Sequence, residues 1–201
     1  FFGLSLGSVL FIAAVGLAIT FGVMGVINLA HGEMIMIGAY TTYVTQLIFP
    51  QLIEYSLFIA LPFSFLIAGL IGVLIERLVI RHLYGRPLET LLATFGISLL
   101  LQQLVRSIFS PINMPVISPQ WMSGMFNVHP ALSLSYGRFY ILIFSIIVFI
   151  ALLILLRKSH FGIEIRAVMQ NRPMARAMGI KTNWIDSMTF GLGSGIAGIA
   201  G

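Results

Sequence analysis

Six apolar stretches, each near the length at which a helix crosses a bilayer, are separated by connections into which most of the charge is sorted. A helix rises about 1.5 Å per residue, so roughly 20 apolar residues traverse the hydrocarbon core. The stretches lie at about residues 3–25, 33–49, 55–76, 88–108, 139–156 and 184–201. The second is short for a span, as a tilted or partly re-entrant helix would be. Of 201 residues, 59% are hydrophobic and 8% charged, with a mean hydropathy of +1.04, too few polar groups to cover a soluble globule. Lipid is therefore the expected solvent. The expected fold class is all-α, a polytopic transmembrane helix bundle forming one domain over 1–201.

The distribution of cations sets an orientation. Arg77, Arg81 and Arg86 follow the third stretch, and Arg157, Lys158, Arg166, Arg172, Arg176 and Lys181 follow the fifth, so two connections hold nine of the eleven basic residues. Residues 107–137 contain no Lys or Arg, and neither does the turn at 49–55, which carries Pro50 and Glu54. The positive-inside bias places the two basic connections in the cytoplasm and the 107–137 loop outside, and all six stretches then alternate without conflict. Trp121, Phe126 and Tyr136 of that loop suit the headgroup level. The net charge of +5 is thus a record of topology, and nucleic acid is not an expected partner. Cysteine is absent, which excludes a disulfide framework and Cys-based zinc sites. No basic region precedes the first apolar run, so none of the chain reads as a signal peptide. The apolar, Gly-rich end at Gly201 reads as that of a C-terminally truncated fragment. Gly3 with Gly7 and Gly191 with Gly195 form small-xxx-small pairs suited to close helix contacts.

Three regions carry polar chemistry. In V-I-N-L-A-H-G-E-M at 26–34, Asn28, His31 and Glu33 interrupt an apolar run. Structurally this is an inner turn with Glu33 at a helix start, where the dipole favours a carboxylate; functionally it is the inner mouth of a solute path. Thr90, Thr94, Ser98, Gln102 and Arg106 recur every fourth residue along the fourth stretch, a stripe that drifts by about 40° per step. Such stripes face protein or water, not lipid. Its hydroxyls can bond their own helix, whereas Gln102 is harder to explain as filler. The inner loop 157–183 mixes basic and apolar residues at helical spacing. Pro173 suits a first helical turn and Gly179 a left-handed residue beyond a helix end, which predicts a short helix at about 173–178. Such an element fits either a groove on a soluble partner or the anionic membrane surface.

The chain lacks G-x-x-x-x-G-K-[ST], G-x-S-x-G and H-E-x-x-H, and shows no intramembrane acid–base network suited to a proton relay, so an enzyme is not expected. A passive channel would need no amphipathic inner helix, and loop 157–183 argues against one.

The block G-L-A-I-T-F-G-V-M-G-V-I-N-L-A-H-G-E-M at 16–34 resembles the first block of the branched-chain amino acid type of ABC importer permeases. The segment F-G-I-E-I-R-A-V-M-Q-N-R-P-M-A-R-A-M-G-I at 161–180 resembles that family's cytoplasmic coupling segment, and R-H-L-Y-G-R-P-L-E-T-L-L-A-T-F-G-I-S at 81–98 is most similar to its urea-importing branch. The resemblance implies a bacterial-type inner-membrane importer for urea, with branched-chain amino acids as the alternative. It further implies a second homologous permease subunit, two cytoplasmic ATPase subunits that hold ATP and Mg, an extracytoplasmic solute-binding protein, and no cofactor or metal on this chain. The expected path residues are Asn28, His31, Glu33, Thr94, Ser98 and Gln102. Glu164, Arg166, Asn171, Ala175 and Gly179 are the expected ATPase contacts, and 107–137 the expected surface for the binding protein.

Overall fold

The computed structural model describes residues 2–201 except 111, 113, 123, 130 and 131. Its helices are α1 (Phe2–Met24), α2 (His31–Ile48), α3 (Ser56–Leu78), α4 (Pro87–Phe109), α5 (Tyr136–Lys158), α6 (His160–Gln170), α7 (Arg172–Ala177) and α8 (Thr182–Ala200). Short 3-10 turns at Pro50–Tyr55, Ile80–Leu83 and Gln120–Met122 join them. Met125–His129 (β1) and Leu132–Ser135 (β2) form an antiparallel hairpin in the Pro-rich loop, with Met125 opposite Ser135. The bundle itself is all-α, as expected.

Four of the described helices are long and apolar enough to cross a membrane: Gly3–Met24, Ile53–Leu78, Pro87–Phe109 and Tyr136–Lys158. The stretches at 33–49 and 184–201 also form helices, but more polar ones, and their position explains why. α8 is the most enclosed element, packed on α1, α2 and α3. A helix wrapped by protein can carry Ser and Thr that a lipid-facing helix cannot, and Thr182, Ser187, Thr189 and Ser194 of α8 are all buried.

Small residues let α8 approach this closely. A Cβ at Gly16 would lie 2.7 Å from the Gly193 carbonyl oxygen, and one at Gly38 would land on the carbonyl of Gly198. Gly69 faces Gly191 in the same way. The Gly191/Gly195 pair therefore lies at a helix crossing, as its spacing predicts. Gly3 and Gly7 do not: a Cβ at either would meet open space. Beside these crossings Met34, Ile37, Ala68, Ile75, Phe190 and Ala197 form the central apolar core.

The two ends of the bundle differ. Val23 at the end of α1 packs with Ile165, Val168, Ala175 and Ile185, so α6, α7 and the start of α8 cap one end. At the other end Gln46 of α2 grips the Pro-rich loop through both amide atoms: Nε2 donates to the Ile117 carbonyl at 2.8 Å and Oε1 accepts from the Ile117 N–H at 3.0 Å. Trp121 Nε1 donates to the Glu54 carbonyl at 2.9 Å, its ring stacked near Phe58 and edge-on to Tyr140. Phe126, expected beside it, has a side chain outside the described part of the structure.

Candidate translocation and coupling site

The first polar cluster joins α2 to α4. Glu33 sits in the first turn of α2, where unpaired backbone N–H groups favour a carboxylate. Ser98 Oγ donates to Glu33 Oε1 at 2.8 Å and Gln102 Nε2 donates to the same oxygen at 2.7 Å. Glu33 is half-buried, and no hydrogen bond or ion pair within the described chain engages Oε2. One turn earlier on α4, the buried Thr94 hydroxyl donates to Leu91 O at 3.0 Å and accepts from Leu29 N–H at 3.3 Å. Thr90 is tied to the backbone of its own region, donating to Leu83 O and Arg86 O. The helical drift of the stripe leaves Arg106 exposed.

Asn28 and His31 do different work. Asn28 Oδ1 accepts from Ala30 N–H at 3.0 Å, closing the turn that starts α2. His31 Nε2 lies 2.9 Å from Ala13 O and so ties α2 to α1. Both residues are buried, and Asn28 Nδ2 and His31 Nδ1 have no partner among the described residues.

At the capped end of the bundle an ionic network links α7, α8, α3 and the Ile80–Leu83 turn. Arg172 donates from Nη1 to Asp186 Oδ2 at 2.9 Å and from Nη2 to Oδ1 at 2.8 Å, a two-pronged pair on a fully buried carboxylate. The Arg172 guanidinium also lies 5.5 Å from the Tyr84 ring centroid. Tyr84 Oη donates to Glu76 Oε1 at 2.9 Å. Burial, helped by the neighbouring Asp186 and Glu76 carboxylates, pushes the Tyr84 phenol far above its usual range, so it stays a donor. Ser187 Oγ bonds the other Glu76 oxygen, and Arg81 Nη2 reaches Ser187 Oγ at 3.1 Å and Glu76 at 3.6 Å.

The amphipathic pair α6–α7 is built by local rules. Ser159 caps α6 by accepting from Gly162 N–H at 3.0 Å, and Asn171 caps α7 by accepting from Met174 N–H at 3.0 Å. α7 ends in a left-handed residue, Gly179 at φ +87°. Gly179 N–H bonds Arg176 O, and Ile180 N–H bonds Ala175 O, both at 3.0 Å, the double closure that a left-handed glycine permits. Arg166 reaches back to the Leu156 carbonyl at the end of α5. Among the expected contacts, Arg166, Asn171 and Gly179 are exposed, Glu164 is half-buried, and Ala175 turns into the bundle at 4% exposure. A side chain so enclosed spaces α7 from the bundle and cannot itself reach a soluble partner. Met169, Met174 and Met178 present the exposed apolar surface instead.

The whole chain, residues 1–201, matches the family described as branched-chain amino acid transport system / permease component. The chain belongs to this permease family. The high-affinity branched-chain amino acid transport system permease protein LivH of Salmonella typhimurium is 31% identical over 212 residues, covering 100% of this chain and 68% of the relative. LivH of Escherichia coli aligns with the same identity and coverage. BraD of Pseudomonas aeruginosa is 28% identical over 98% of this chain and 67% of its own length. No solved structure matches the chain.

This permease is a transport component and not an enzyme, and its polar residues sort accordingly. Glu33, Thr94, Ser98 and Gln102 stand together at the α2–α4 contact, whereas Asn28 and His31 shape the turn beside them. Gln46 and the Glu76–Tyr84–Arg172–Asp186 network were not found from the sequence, which shows no acid–base network within its apolar runs. Their partners lie far apart in the chain, with Glu76 and Ser187 separated by 111 positions. The available signal was an isolated acid at each basic connection, Glu76 beside Arg77 and Asp186 after Lys181.

Proposed function

We propose that this permease, paired with a second homologous subunit in a bacterial-type inner membrane, forms the path through which a branched-chain amino acid enters the cell. The observation that carries this reading is Glu33. A zwitterion carries an ammonium group that needs a counter-charge in a low-dielectric path; urea needs none. Glu33 supplies such a charge, with Oε1 fixed by Ser98 and Gln102 and Oε2 left for a ligand. The names of the relatives support the same substrate class over urea, to which the 81–98 block inclines. The solute's own carboxylate would be met by the second subunit.

The remaining surfaces take roles by position. A solute-binding protein delivers to the 107–137 loop, and two ATPase subunits, which hold ATP and Mg, seat on α6–α7 through Glu164, Arg166, Asn171, Gly179 and the exposed methionines. Closure of the ATPases shifts α7. Because Arg172 fastens α7 to Asp186 of α8, the shift reaches the helix that α1, α2 and α3 enclose. A switch between two packings is what alternating access requires.

The reading is tested with the full-length complex in liposomes, by following labelled leucine and labelled urea with and without ATP and binding protein. Arg166→Glu and Gly179→Pro are compared with wild type. Proline cannot adopt the positive φ at Gly179 and removes its N–H. Uptake of leucine that requires ATP and disappears in both variants, while the complex still assembles, is the expected result. Uptake that persists without ATP and ignores the loop changes would make the protein a passive pore and end the proposal; ATP-driven entry of urea alone would move the substrate back to urea.

A further inference from the structure

Between the two basic connections lies an open cleft of about 570 Å³ lined by Arg77, Arg81, Arg176, Lys181, Asn183 and Trp184 among others. We propose that it binds a phosphate-bearing anion, the headgroup of an acidic phospholipid, an activity outside the transport path and independent of the solute carried.

The charge of the cleft is unbalanced. Four cations line it and no acid does. Arg81 leans on Glu76, but none of Arg77, Arg176 or Lys181 has a carboxylate partner among the described residues. Arg176 is already oriented, since its Nε donates to Thr182 Oγ1 at 2.8 Å, which leaves its two terminal nitrogens for a ligand. Guanidinium and ammonium groups converging from two connections are the donor set that phosphate oxygens need. Convergence from separate elements distinguishes this cleft from a solvated run of charge.

Its depth favours a lipid as the source. Arg77 falls in the last turn of α3, whose apolar span ends at Leu78, so the cleft opens where the hydrocarbon core gives way to headgroups. Leu74, exposed at 55%, lies one turn before Arg77 on the same face of α3 and offers acyl chains a surface, and Trp184, exposed at 47%, borders the cleft. An anion held here would also tie the Arg77–Arg86 connection to the loop that carries α7.

The full permease complex is reconstituted in nanodiscs of phosphatidylglycerol and phosphatidylcholine, released, and weighed intact by native mass spectrometry. Retained phosphatidylglycerol is compared in wild type, in Arg77→Gln/Lys181→Gln, and in Arg157→Gln/Lys158→Gln, which loses the same charge from the end of α5. The expected result is preferential retention of phosphatidylglycerol, reduced roughly tenfold or more by the cleft variant and unchanged in the control variant. Inorganic phosphate in excess, if it displaces the lipid or is itself retained in a cleft-dependent way, supports the phosphate site and names its source. Equal retention of both lipids without cleft-dependent phosphate binding overturns the proposal, as does equal loss in both variants. So does cross-linking of Lys181 to an ATPase carboxylate in the intact complex, which would make the cleft a protein contact.

Discussion

A carboxylate lowered into an apolar bundle has to be held, and Glu33 is held at one oxygen by two donors one turn apart on α4. Glu33→Gln tests the charge alone, because a glutamine carbonyl still accepts from Ser98 and Gln102. The expected outcome is a complex that assembles normally yet takes up leucine at least about tenfold more slowly, since a lost charge-assisted contact is worth roughly 1.5–3 kcal/mol; full uptake would remove Glu33 from the path. Ser98→Ala, which deletes one donor and keeps the charge, should slow uptake less than Glu33→Gln in the same assay. These residues were legible because polarity every fourth position on an apolar helix has few explanations. Gln46 was not, because one glutamine near a helix end carries no periodic signal, although it grips Ile117 from 71 positions away.

Between elements, the fold depends on close approach and on ion pairs to buried carboxylates, the two-pronged Arg172–Asp186 pair above all. At Gly38 a Cβ would strike the backbone of Gly198, which cannot yield, whereas at Gly7 it meets open space. Gly38→Leu should therefore lower the melting temperature of the complex or prevent its assembly, with overpacking costing about 1–3 kcal/mol or more, and Gly7→Leu should leave the melt unchanged. A reversed order would mean that α8 does not cross α2 as described. The spacing of Gly191 and Gly195 revealed one crossing surface but could not separate it from Gly3 and Gly7, since the same motif serves either. The pair Arg172–Asp186 was hidden for another reason: its members belong to two helices brought together only by the turn at Gly179. Removing the arginine strands a buried carboxylate, which costs about 3–5 kcal/mol, so Arg172→Ala should uncouple ATP hydrolysis from uptake and lower the melt. Exchange of the charges, Arg172→Asp with Asp186→Arg, should restore part of both; failure of the exchange to recover anything beyond the single change would argue that the contact is not a pairwise lock.

At the scale of the whole molecule, alternation of the helices follows from where the cations stand, and the structure gathers Arg77, Arg81, Arg176 and Lys181 around one cleft at the capped end. At the other, Gln46 and Glu54 meet the Pro-rich loop through its Ile117 and Trp121. The sequence supported this arrangement because insertion energetics act on lengths and charges, which are readable in one dimension; it could not rank the helices by enclosure, because wrapping by α1, α2 and α3 is what frees α8 to be polar. α4 offers a direct measure of orientation, since Arg86 precedes its first turn and Ser110 follows its last, and both are exposed. The chain has no cysteine, so Ser110→Cys and Arg86→Cys each introduce one thiol without further changes to this subunit. With the positive-inside bias in force, a membrane-impermeant maleimide should label position 110 in intact cells and position 86 only in inverted vesicles. Labelling of both from one side would show that α4 does not cross the membrane, and the reverse pattern would place α6–α7 outside the cell, away from any ATPase, so that the coupling role would fall together with the orientation.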